Sequence, residues 1–103
     1  MSLSEVRGLA MANKGTTESP HHRYTSFRVR GRIYATAPVE GSFLHVFVDE
    51  EDRDRMVKLD PATYAILGWG RKVVGLRVAL EAAQADDVRA LLHAAWLRKA
   101  GAR

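Results

Sequence analysis

Pro20-His21-His22-Arg23-Tyr24-Thr25-Ser26-Phe27-Arg28-Val29-Arg30-Gly31-Arg32-Ile33-Tyr34-Ala35 decides how this chain is read. Apolar and cationic residues alternate at period two, and a glycine interrupts them. Successive side chains of a strand point to opposite faces, so Phe27 and Val29 turn one way and Arg28 and Arg30 the other. The pattern predicts strands over 25–30 and 33–37. Gly31-Arg32 at the tip suits a type II′ turn, which takes glycine first. A two-residue turn opposes Val29 to Tyr34 and a three-residue loop opposes it to Ile33. That choice decides whether Tyr34 or Ile33 enters the core.

Working outward, residues 2–13 read as a short helix with Leu3, Val6, Leu9 and Ala10 on one side, Ser4 as its cap and Gly15 just past its end. Residues 16–24 are polar, contain Pro20 and read as a loop. Phe43 to Val48 reads as a strand, with Leu44, Val46 and Val48 on one face and Phe43, His45 and Phe47 on the other. Asp49 caps a helix whose first turn is acidic and whose apolar side is Met56, Val57 and Leu59. Asp60-Pro61 reads as the start of a second short helix carrying Tyr64, Ile66 and Leu67. Gly68-Trp69-Gly70-Arg71-Lys72 reads as a flexible loop around one large aromatic, followed by a strand through Val74, Leu76, Val78 and Leu80. The last helix, about 85–99, places Val88, Leu91, Leu92, Ala95 and Trp96 on one stripe, with Asp86 and Asp87 at its start and Arg98 and Lys99 at its end. The order implies one domain over 1–103: an α+β sandwich with an antiparallel sheet of about four strands and helices on one face.

The chain of 103 residues is 47% hydrophobic and 27% charged, which is a folding composition. It has no cysteine, so disulfides, thiolate metal sites and a cysteine nucleophile are excluded. No apolar run is long enough to span a bilayer and no signal peptide is visible, so no membrane partner and a cytoplasmic location are expected. Sixteen Lys and Arg against twelve Asp and Glu give a net charge of +4. Residues 21–36 hold Arg23, Arg28, Arg30 and Arg32 and no acid, whereas 49–60 hold Asp49, Glu50, Glu51, Asp52, Asp54 and Asp60.

Residues 20–35, the Gly68-Trp69-Gly70-Arg71-Lys72 loop and the final helix with Leu91-Leu92 and Ala94-Ala95-Trp96 together resemble the MmcQ/YjbR family of small bacterial proteins. The resemblance implies an antiparallel α+β fold related in shape to secretion chaperones. It also implies DNA binding, because members carry that label from a paired-hairpin arrangement. It supplies no catalytic residues.

Arg28, Arg30, Arg32, Arg71 and Lys72 are therefore the candidate nucleic-acid contacts, each neutralised phosphate adding salt dependence. The expectation is that these groups stand together on the side of the sheet that the helices leave bare. The bland reading of the same alternation is a solvated face whose Arg stems cover apolar surface. Phe43, His45, Phe47 and Trp69 are the candidate interaction surface for a homodimer or a protein partner. Neighbouring His21 and His22 point apart on an extended segment and chelate poorly, and no H-x-x-x-H or H-E-x-x-H spacing exists. No G-x-S-x-G elbow supports a triad, and the acids at 49–54 lack the order of a calcium loop. No enzyme activity, metal or cofactor is expected. A non-enzymatic DNA-binding domain is the first expectation, and a protein-interaction or chaperone-like module the second.

Overall fold

The computed structural model of the chain describes residues 1–69 and 71–101, with Trp69 described by its backbone. Helix α1 (Leu3–Met11) leads into strands β1 (Thr17–His21), β2 (Tyr24–Val29), β3 (Arg32–Pro38) and β4 (Phe43–Val46). Helix α2 (Glu50–Leu59), strands β5 (Tyr64–Trp69) and β6 (Lys72–Ala79) and helix α3 (Ala85–Ala100) follow. The strands form one antiparallel sheet in the order β1-β2-β3-β4-β6-β5. Among the described residues no helix is long and apolar enough to cross a membrane.

The α+β class matches the sequence reading, but the sheet has six strands where about four were expected. Residues 17–21 form β1, not a loop. This is an edge strand, where the missing N–H of Pro20 costs least. Residues 64–69 form β5, not part of a second helix. Asp60 ends α2 instead of opening a helix, and its carboxylate accepts the Thr63 hydroxyl at 2.7 Å. Of the loop read over 68–72, Gly68 and Trp69 pair with Val73 and Lys72 in the β5–β6 hairpin, and Gly70 lies outside the described residues. The third predicted strand stops at Val46, short of Val48. Ser2, and not Ser4, caps α1. Its hydroxyl accepts the Glu5 N–H, and the Glu5 carboxylate accepts the Ser2 N–H in return.

The first hairpin turns one residue earlier than its glycine suggested. Arg30 and Gly31 are the central pair, at φ 52° and 75°, and Val29 faces Arg32. Positive φ at both positions is the type I′ pattern, whose twist matches the flanking strands. The register then slips across one extra residue, so that Arg28 faces Ile33 while Phe27 faces Ala35. The extra residue is Tyr34. It is fully buried, and Ile33 goes to the opposite face.

The helix-covered face carries the core. Phe27, Ala35, Leu44, Val46, Leu76 and Val78 are fully buried there against Val6 and Ala10 of α1 and Val88, Leu92 and Ala95 of α3. The Tyr34 hydroxyl donates to the Ala10 carbonyl at 3.2 Å and lies 2.9 Å from the Thr16 hydroxyl. This ties the sheet to the end of α1. Tyr34→Phe leaves the buried Thr16 hydroxyl without this partner, at a cost of about 1–3 kcal/mol, while the Ala10 carbonyl keeps the Asn13 N–H. A thermal melt should show the variant melting several degrees lower, at about 4–8 °C per kcal/mol for a chain of this size. Trp96 locks the other side of α1's exit: its indole N–H donates to the Lys14 carbonyl at 2.8 Å, and its ring stacks on His93 at 5.5 Å.

Candidate nucleic-acid interface and the open sheet face

Two hairpins define one end of the sheet. In the strand order β2-β3-β4-β6-β5, the turn after β2 and the turn after β5 fall at the same end, because every pairing is antiparallel. The first turn is Arg30-Gly31, with Arg28 and Arg32 beside it. The second joins Trp69 to Lys72 and holds Arg71. Three strand spacings of about 4.8 Å separate the axes of the two hairpins, roughly 14 Å. Between them β4 stops at Val46, opposite Ala35 and Leu76. β3 runs on to Arg32 and β6 reaches back to Lys72, so both tips project beyond β4.

Arg30, Arg32, Arg71 and Lys72 are exposed, and Arg28 is half-buried with its Nε donating to the Ser26 hydroxyl at 3.2 Å. The salt bridges found among the described residues are Arg7–Glu18, Arg53–Asp54, Arg55–Asp52 and Arg89–Asp86. None involves the five tip cations. Asp52 and Asp54 of the acidic segment are paired within α2, with Arg55 and Arg53.

The arginines do not form a strip on the bare face, as expected from period two. Arg28 lies on the bare face, across from Ile33. Arg30 sits in the turn itself, and Arg32 pairs with the buried Val29 and so leans toward the helix side. They encircle the tip. Arg23 is separated from them: it lies in the His22-Arg23 turn between β1 and β2, at the far end of the sheet.

The open face carries Tyr24, Thr36, Phe43, His45, Phe47, Leu67 and Arg77. Phe43, His45 and Phe47 reach this face as the strand alternation predicted, and they are half-buried, not bare. Neighbours on the same face cover them. The Arg77 guanidinium lies 3.6 Å above the Phe43 ring, and the Tyr24 ring sits 5.9 Å from that of His45. The side chain of Trp69, the fourth residue of that group, lies outside the described residues. Gly75 of β6 is where the chain leaving β4 passes closest: a Cβ built there would lie 3.1 Å from Phe47 Cα.

His45 touches the Thr36 hydroxyl through Nδ1 at 3.4 Å. Burial lowers its pKa below the ordinary 6.5, and the Arg77 charge lowers it further. The imidazole is thus kept neutral in the folded chain while the unfolded chain takes up the proton first. Stability conferred by this group is complete above pH 6.5 and declines as pH falls toward the depressed folded value. Melts at pH 7.5 and 5.5 should show wild-type losing more stability than His45→Gln, and an equal loss in both would contradict the assignment.

Tyr24, Leu67 and Arg77 escaped the reading of the sequence as site residues. Arg77 carried a signal, since it is the one cation in the apolar run from Val73 to Leu80. Leu67 carried none, because its strand was read as helix.

The YjbR family model matches residues 11–98 of the chain. The crystal structure of Deinococcus radiodurans protein DR2400, with a DUF419 family domain, has the same fold. Its TM-score is 0.82 at 20% sequence identity, over 94% of this chain and 77% of that one. No curated protein matches the chain.

Proposed function

For a chain that belongs to the YjbR family, with two basic hairpin tips at one end of its sheet, we propose a binding function directed at nucleic acid rather than a catalytic one. The observation that carries this reading is the convergence of Arg28, Arg30 and Arg32 with Arg71 and Lys72. These residues are distant in sequence, and no salt bridge engages them among the described residues. The roughly 14 Å between hairpins compares with a major groove about 12 Å wide, so the two tips sit on phosphates either side of it. Guanidiniums suit that task because their planar forks pair with phosphate oxygens through two hydrogen bonds. Such contacts position the protein and carry no base preference.

Fluorescence anisotropy with a mixed-sequence DNA duplex at low salt tests the reading. Arg30→Ala with Arg32→Ala should weaken binding, and so should Arg71→Ala with Lys72→Ala. If only one tip matters, the two-hairpin interface is wrong. If neither matters, or wild-type does not bind, the nucleic-acid function is wrong.

A further inference from the structure

The bare face of the sheet holds a second cationic feature, at the end away from the hairpin tips. An open trough of about 600 Å³ runs over Tyr24, His45 and Leu67 toward Arg23 and Arg77. It continues over the same three residues into a smaller recess of about 230 Å³ floored by Phe47. Cavities that hold small molecules are typically 300–1,000 Å³, mostly apolar, with a few placed polar groups. We propose that this trough binds a small flat aromatic anion, its ring against Tyr24, His45 and Leu67 and its acidic group on Arg23 and Arg77.

Charge complementarity picks this occupant. Two guanidiniums line the larger cavity, and neither is in a salt bridge among the described residues. Its one carboxylate, Glu40, accepts hydrogen bonds from the Ser42 hydroxyl and N–H and is held at the rim. The Arg77 guanidinium is already held over the Phe43 ring, so little side-chain freedom is lost when it takes an anion. Tyr24 is 37% exposed, a large aromatic left partly bare beside these cations. The neutral form of His45 adds a hydrogen-bonding edge without adding a third charge. A ring with no acid leaves both guanidiniums unanswered, and an acid with no ring leaves the apolar floor wet.

Two sources supply this chemistry, an aryl carboxylate and a mononucleotide. Titration of ¹⁵N-labelled protein with 2-naphthoate and, separately, with adenosine 5′-monophosphate should move amide signals around Tyr24, His45 and Arg77 at millimolar ligand or below. Neutral 2-naphthalenemethanol and acetate should bind markedly less well. Arg77→Gln should weaken the anion by about tenfold, the loss of one charge-assisted contact. Tyr24→Ala should weaken it less, with the melting curves of both variants showing that they fold. Response to one anion alone names the source, and response to both assigns the shared chemistry. The proposal is overturned if neither anion moves these signals, if the neutral alcohol binds as well, or if folded Arg77→Gln binds unchanged.

Discussion

Gly75→Ala is expected to lower the melting temperature by ten degrees or more. A Cβ at this position would collide with the Val46 carbonyl oxygen and meet Phe47 Cα at 3.1 Å and Phe47 Cδ1 at 3.2 Å. Two of those atoms are backbone, and a rotamer change cannot move them. β4 and β6 would have to part where Val46 pairs with Leu76, beside the fully buried core of both strands. Overpacking a tight site costs about 1–3 kcal/mol and more where backbone must shift. At about 4–8 °C per kcal/mol, the upper end of that range gives the predicted drop. The effect comes from close approach and not from backbone conformation, because Gly75 is not among the residues of positive φ. A variant melting within a few degrees of wild-type would show that the chain crosses β6 less closely.

The second large effect is on nucleic-acid affinity at low salt. If all five tip cations meet phosphates, log K falls with log salt at a slope of about −4.5, taking 0.9 per contact. Reversing charge at one tip, as in Arg30→Glu with Arg32→Glu, replaces attraction by repulsion at that hairpin. Binding should then fall by about two orders of magnitude, since each good phosphate contact with its counterion release is worth roughly tenfold or more at low salt. The same substitutions should leave thermal stability nearly unchanged, because both residues are exposed. Loss of binding together with loss of fold would leave the tips without a demonstrated role.

How much of this was legible in the sequence depended on how local the signal was. The periodic stripe of α3, the Asp49 cap of α2 and the alternation of β4 are each set by neighbours in sequence, and they appear where the pattern put them. β1 was hidden because Thr17-Glu18-Ser19-Pro20-His21 has loop composition and becomes a strand only by pairing with β2. β5 was hidden because a short apolar run after Asp60-Pro61 has no period that separates strand from helix. Arg30 took a left-handed turn position that glycine or asparagine usually fills, and this moved the hairpin by one residue.

The candidate interface followed the same rule. Cationic density around Arg28, Arg30 and Arg32 was visible along the chain. That Arg71 and Lys72 stand at the same end follows from β4 inserting between β3 and β6, a pairing no local pattern encodes. The trough was less legible still, because Tyr24, His45, Leu67 and Arg77 come from four different strands.

The central claim is that both hairpin tips grip the phosphates of one nucleic-acid duplex. Its most direct test is the salt dependence of duplex binding, measured for wild-type and for the protein carrying Arg71→Ala and Lys72→Ala. Two lost contacts should make the slope shallower by about 1.8. Equal slopes for the two proteins, or affinity indifferent to salt, would contradict it.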